Sequence, residues 1–549
     1  MGSGEQAPTQ GGLGRFLRPS HQHSALSATV LLMSAIMLSR VVGYIREAYI
    51  AWAFGAGLQT DAYVAAFTLP DWLNYIVAGG TASITFVSIF TRYTAEGRDQ
   101  EARKAFSVVI TLMTTVLVIG IALLEVFTPQ IERLIFPRFS AEQLQLCVYL
   151  TRILLPAQIF FYVGGVVSAV LLSRRLFLFP ALGPILYNVF IILGGVVLSG
   201  RLGIASLAVG AVTGGFLGPF LINAIAASKT GIGYQVTFDH RDPGFREWVR
   251  LSIPLMLGVS LVTADDWILR YFASGGVGDI TRLNYAKRLF AVPIAVLGQA
   301  TGQASLPFFT RLFGEKRMQE FARTVSDSVY RVSAAAFLIT AWMMAAALPV
   351  VDLVYRRGRF HFSDSRETAL FFFWFALSLA FWAAQGLYAR AFYAAGDTLT
   401  PMIAVTIITV ASLPVYSWLF QAYGVTGLAI ASDIGIFANT VVLAVLLHWK
   451  KLVPLGDMRW LELGKALLTS VFALAMNYFA VQAVYVDGSR RADVAAVVVT
   501  SVVWGVAVAF GLWATRSELP RKLRKPSALS PQPSAQPELP SEYREEEKP

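Results

Sequence analysis

With 549 residues, 56% of them hydrophobic and only 14% charged, the chain is too apolar for a soluble protein, in which about 25% of residues are charged. Its formal charge of +11 lies mostly in short loops between apolar stretches, where membrane topology accounts for it without nucleic acid. The one cysteine, Cys147, excludes a disulfide framework, and no Walker lysine loop, zinc-ligand cluster or nucleophile elbow points to an enzyme.

The first 24 residues lack a signal peptide's order of basic region, apolar core and cleavage site, so they read as a tail followed by a retained anchor. Apolar runs able to cross about 30 Å of hydrocarbon then follow one another. They fall at 25–54, 60–93, 103–137, 141–173, 176–199, 203–228, 245–273, 280–312, 321–354, 364–396, 398–420, 424–449, 460–485 and 491–514, numbered here as spans 1 to 14. The runs rarely alternate with period two, so an all-α polytopic membrane protein of about 14 transmembrane helices is expected rather than a barrel. Lys and Arg crowd the loops on the side of the termini, as at Arg98, Arg103, Lys104, Arg246, Arg250, Arg317, Lys450 and Lys451. They are sparser opposite, at Arg133, Arg138, Arg201 and Arg356 among others. This asymmetry puts both termini in the cytoplasm.

Charges inside spans are costly, opposing insertion by roughly 2.5–3.5 kcal/mol each when they face lipid. Span 1 carries Arg40, Arg46 and Glu47 in SRVVGYIRE. Arg40 and Glu47 share a helix face, Arg46 points elsewhere, and a bend at Gly43 would bring all three to one cavity. An internal ion pair and an anion site are both open for this group. Span 2 holds Asp61, Pro70-Asp71 and Gly79-Gly80, a pattern of bending. In span 7, Arg270 lies four residues after Asp266 and is placed to neutralise it; Asp265 and Asp266 are alternatively a cation or proton site. Span 8 carries Arg282, Lys287 and Arg288. Asp433 in span 12 reads as a buried hydrogen-bonded group, and Glu125 and Arg152 have no evident partner in sequence. Across spans 1 and 8 the balance is cationic, which suits an anion, and guanidinium groups hold diphosphates bidentately.

An internal repeat orders these charges. Phe54 and Asp61 recur as Phe272 and Asp279, and Gly80 and Ala82 as Gly298 and Ala300. Phe90-Thr91-Arg92 recurs as Phe309-Thr310-Arg311, Pro180 as Pro401, and Gly203, Leu207 and Ala208 as Gly424, Leu428 and Ala429. The offset drifts from 218 to 221, as small insertions produce. Six spans separate the copies, so both halves have one orientation. Two pseudo-symmetric six-helix lobes facing a central cavity are expected, with two C-terminal helices outside the repeat and alternating access by rocking. The expected division is an N-terminal tail at 1–24, an N-lobe at 25–228, a cytoplasmic linker at 229–244, a C-lobe at 245–450, spans 13 and 14 within 451–514, and a disordered tail at 515–549. The start of that tail, 516–525, is basic and suited to anionic lipid.

The segment SRVVGYIREAYIAWAFGAGLQTDAYVAAFTLPDWL (39–73) resembles the MurJ (MviN) family of lipid II flippases within the MATE-like exporter superfamily. LVYRRGRFHFSDSRETA (353–369), FYAAGDTLTP (392–401) and NYAKRLFAVPIAVLGQATGQASLPFFTRLF (284–313) support it. The resemblance implies translocation of lipid II from the cytoplasmic to the outer leaflet of a bacterial inner membrane, for cell-wall synthesis. It implies that Arg40, Arg46, Asp61 and Arg288 engage the diphosphate-sugar head group, and Lys287 lies beside Arg288. The chain departs from the family pattern where Asn74 stands for an arginine, Ala291 for a glutamate and Gly79 for an acidic residue. The family's sodium-site residues are not evident, since span 11 has no acidic residue. No cofactor is expected; membrane potential or a coupling ion drives transport. The partners expected are the lipid-linked substrate, membrane lipids and cell-wall synthesis enzymes. Rival readings are a flippase for another polyprenyl-diphosphate oligosaccharide, a cation-coupled multidrug exporter and a scaffold acting through the C-terminal tail.

Overall fold

The computed structural model describes residues 25–75, 80–174, 176–257, 261–485 and 489–524. The expected N-terminal tail, Gly79 and residues 525–549 of the expected C-terminal tail lie outside the described residues. Every regular element among the described residues is helical. Among the described residues, eight helices are long and apolar enough to cross a membrane, or nine if the bent pair Phe362–Leu377 and Leu379–Ala394 forms one span. Local features account for part of the difference from fourteen. Spans 11 and 12 form one continuous run, Leu399–Trp449, interrupted only at Gly424. Span 2 is divided into Leu58–Ala65, Thr68–Leu73 and Gly80–Ala95. In span 7 the described residues on both sides of 258–260 are helical, Pro243–Leu257 and Leu261–Ala273. Span 8 passes Pro293 into a π-helical stretch, Ile294–Ala300. Spans 2 and 8, both irregular, together with spans 1 and 7, are the ones that carry the deep charges.

The repeat is visible in local geometry. Gly203 and Gly424 adopt nearly the same left-handed conformation, φ 55° and 60° with ψ −135° and −143°. Gly97 and Lys316, 219 residues apart, are both left-handed turn residues. Immediately after them, Arg98 pairs with Glu96 and Glu101, and Arg317 pairs with Glu315 and Glu320. These loop ion pairs hold Glu101 below the usual carboxylate range through Arg98, and Glu315 through Arg311 and Arg317. Sequence similarity alone predicts residue types; the matching turns and ion pairs show that the two copies fold alike at these points.

The chain forms two compact units. One takes the residues up to Leu289 with Val350–Phe372 and Thr409–Ala431, and the other takes Phe290–Pro349, Phe373–Ile408 and the chain from Ser432. In the first unit, Phe86, Phe90, Phe106, Val109, Tyr162, Val170 and Trp248 form a core. The helices Leu178–Leu202 and Ala205–Gly215 pack backbone to backbone. A Cβ on Gly194 would lie 2.6 Å from the Ser206 carbonyl oxygen, and one on Gly210 would lie 2.6 Å from that of Phe190. Small residues at such crossings replace the hydrophobic drive that lipid does not supply.

In the second unit Met318–Ala345 packs against Leu379–Ala394 and Trp460–Val484. The Trp504 indole donates to the Leu338 carbonyl at 2.7 Å. At one end Arg459 bridges Asp327 and Glu518, and Lys522 also reaches Asp327. The residues after 515 therefore do not begin as a disordered tail. Glu518 N–H donates to Glu462, Leu519 is buried, and Leu519–Arg524 is helical. Lys522, expected to meet anionic lipid, is instead engaged by Asp327.

Candidate functional site

All the candidate residues belong to the first unit. The helix Ala25–Phe54 is unbroken, so no bend at Gly43 gathers its charges. Asn188 packs over Gly43, with its amide 3.8 Å from a Cβ built there, and accepts a hydrogen bond from Arg46 Nη1 at 2.8 Å. Arg46 Nη2 pairs with Glu47. Arg46 thus turns to the helix Leu178–Leu202, and both members of its pair are largely buried. The same Glu47 oxygen lies 3.7 Å from Nε of Arg288, whose side chain is 52% exposed. The hydroxyl of Tyr44 donates to the Arg288 carbonyl at 3.0 Å, which ties span 1 to span 8. Arg40 lies one turn before Tyr44 and is half-buried. Glu47 therefore holds two guanidiniums at once, one fixed and one open.

Lys287 is turned away from this pair. Its ammonium pairs with Asp265 at 2.6 Å and also with Asp266. The Tyr416 hydroxyl donates to the other Asp265 oxygen. The pairing of Asp266 with Arg270 expected from their spacing gives way to this one, because Arg270 reaches span 2. Its Nη1 donates to Thr68 at 3.0 Å and lies 3.4 Å from Asp71. Trp267, on the same helix, meets Trp72 edge-on at 5.4 Å and Tyr75 at 6.2 Å. At the candidate ion site, Asp265 and Asp266 thus hold a tethered ammonium.

Asp61 has a different task. It is fully buried; Oδ1 accepts from N and Oγ1 of Thr281, at 2.8 and 2.6 Å, and Oδ2 from the N–H of Gly278. These are the free donors at the start of the helix Asp279–Pro293, so Asp61 closes that helix from a remote segment. It presents no free edge to a ligand. Asn74 ends the short helix Thr68–Leu73 and makes no described side-chain hydrogen bond.

The cationic cavity expected from spans 1 and 8 is closer to neutral than those spans alone imply. Carboxylates of spans 2 and 7 compensate it, with Asp71 on Arg270 and Asp265 and Asp266 on Lys287. The hollow beside Asp266, Arg270, Asn284 and Lys287 holds about 20 Å³, room for a single water molecule. The cations are collapsed onto the chain's own carboxylates, and Arg288 keeps the most accessible side chain of the described pairs in this seam. The carboxylates on Arg270 and Lys287 were not recoverable from local spacing, since Asp71 lies 199 residues from Arg270.

Comparison with known proteins follows the same lines. A family model described as Lipid II flippase MurJ matches residues 50–489. The chain is 29% identical over 457 residues to the lipid II flippase MurJ of Burkholderia cenocepacia, covering 80% of this chain and 86% of that protein. It is 25% identical over 414 residues to a probable lipid II flippase MurJ of Rickettsia prowazekii, covering 75% and 81%. A solved structure of lipid II flippase MurJ in an inward closed conformation aligns with TM-score 0.73 at 22% identity, over 88% of this chain and 99% of that one. An inward-facing multidrug resistance MATE family transporter of the MOP superfamily aligns with TM-score 0.61 at 15% identity, over 77% and 97%. The structural likenesses concern the fold, whereas the family match runs through spans 2 to 13 and takes in Asp61, Arg270, Lys287 and Arg288. The chain belongs to the lipid II flippase MurJ family.

Proposed function

We propose that this protein translocates lipid II from the cytoplasmic to the outer leaflet of a bacterial inner membrane by alternating access. The observation that carries the reading is Glu47, held between the buried Arg46 and the half-exposed Arg288. A carboxylate on two guanidiniums occupies the position that a phosphate oxygen of a diphosphate can take. Entry of the head group exchanges Glu47 for substrate on Arg288, while Asn188 keeps Arg46 oriented. Arg40, about two turns before Glu47, adds positive charge on the same helix. Asp61 serves the site indirectly by fixing the start of the helix that carries Lys287 and Arg288.

The step is physical, with no bond made or broken. With both termini in the cytoplasm, the membrane potential favours outward movement of the anionic head group by about 2.3 kcal/mol per charge per 100 mV. The polyprenyl chain stays in lipid along spans 13 and 14. The lysine ammonium on Asp265 and Asp266 supports transport without a bound metal cation at that point. A second reading, a flippase for another polyprenyl-diphosphate glycan, is favoured by Asn74 and Ala291, which replace the charged residues usual in the family. Expression in cells depleted of their own lipid II flippase separates the two. Restored growth and wall synthesis support lipid II; lysis despite normal membrane levels of the protein refutes it.

A further inference from the structure

A second cleft, lined by none of the residues of the candidate site, lies between the helices Asp99–Ile135 and Ala141–Leu154. It encloses about 560 Å³ and is lined by Pro129, Gln130, Arg133, Gln145, Tyr149 and Arg152 among others. Its origin is legible in the backbone. Pro129 lies inside the first helix and has no N–H to give the carbonyl four residues back, that of Glu125. Arg152 replaces the missing donor. Its Nε and Nη2 both donate to the Glu125 carbonyl, at 3.1 and 3.0 Å. Nε also lies 3.8 Å from the Glu125 carboxylate, and the side chain is still 45% exposed. The two hydrogen bonds to one carbonyl fix the guanidinium plane and leave Nη1 for another acceptor. Arg133, the second cation of the cleft, takes part in no ion pair among the described residues.

The surroundings indicate what that acceptor is. Glu125 stands ten residues before the helix end at Ile135, about 15 Å along the axis. Arg152 stands eleven residues after Ala141, at a comparable depth. Val126, Phe127 and Leu134 around them are at least half exposed, as lipid-facing residues are. A guanidinium opening onto such a surface needs an anion that arrives with hydrocarbon attached. Two arginines against one glutamate leave one net positive charge, which a phosphodiester balances. Gln130, Gln145 and the Tyr149 hydroxyl add neutral donors for ester and glycerol oxygens.

We propose that this cleft binds the phosphodiester head group of an anionic glycerophospholipid, a lipid site separate from the translocation route. The proposal does not depend on the flippase reading, since it rests only on the helices spanning a bilayer. The test uses the purified full-length chain and native mass spectrometry, with dioleoylphosphatidylglycerol, with dioleoylglycerol, and with undecaprenyl diphosphate. Wild type is expected to retain phosphatidylglycerol but not dioleoylglycerol, and Arg133→Gln to lower that retention about tenfold. Arg133 is exposed, so this variant folds. Pro129→Ala gives Glu125 back its helical donor and is expected to weaken retention by releasing Arg152. Equal retention by wild type and both variants overturns the proposal. Preferential capture of undecaprenyl diphosphate, lost in Arg133→Gln, overturns the phosphodiester assignment.

Discussion

Arg46 and Arg288 meet one carboxylate from opposite situations, and their variants should part accordingly. Arg46 is buried between Asn188 and Glu47. Arg46→Ala leaves Glu47 with only the longer contact to Arg288, and breaking a buried pair in this way costs about 3–5 kcal/mol. Arg288 is half-exposed at 3.7 Å, and its loss costs under about 1 kcal/mol. Thermal unfolding of the two variants, read beside transport, should therefore show both inactive but only Arg46→Ala destabilised. Asp61→Ala should behave as a folding variant, because it strands two backbone N–H groups and one hydroxyl. We expect a loss of about 3 kcal/mol, and a variant with full stability but no transport would return Asp61 to the substrate. The identity of the charged residues was legible in the sequence, and so was their crowding into spans 1, 2, 7 and 8. Their pairing was not, because Asp61 serves a helix start 217 residues away and Arg270 finds Asp71 rather than its neighbour Asp266.

At the scale of elements, the repeat was the most reliable reading. The offsets between Gly203 and Gly424, and between Phe90 and Phe309, predict twin turns, and the paired conformations and ion pairs at Arg98 and Arg317 follow them. The twins differ at the turn residue itself: glycine at 97 and lysine at 316 share a left-handed backbone. Lys316→Gly should therefore stabilise the protein by about 1 kcal/mol, measured by thermal unfolding; no change would mean the lysine pays nothing for its backbone. Span boundaries were less legible where proline, glycine or π-helical turns interrupt the apolar run, as in spans 2 and 8. The C-terminal boundary was misjudged, since charge composition at 515–524 hides the contacts of Glu518, Leu519 and Lys522. Truncation after residue 524 should leave expression and transport intact. Truncation before 517 takes Lys522 from Asp327 and the Ser517 and Glu518 donors from Glu462, and should lower the unfolding temperature by several degrees, on the order of 1–3 kcal/mol.

For the molecule as a whole, the conformation described is one in which cations and carboxylates of the chain satisfy one another. A transporter of an anion gains from this arrangement. Empty, it hides its charges from lipid, and a diphosphate can replace a carboxylate without creating an unpaired ion. The cost of that economy is selectivity set by exchange, so the open member of the network should decide transport. The most direct test is a lipid II translocation assay in cells depleted of their own flippase, carrying either the wild-type chain or Arg288→Gln at equal membrane levels. The account predicts that wild type exposes lipid II on the outer face and that Arg288→Gln reduces this by at least about tenfold, the scale of one lost charge-assisted contact. Undiminished translocation by Arg288→Gln would contradict it.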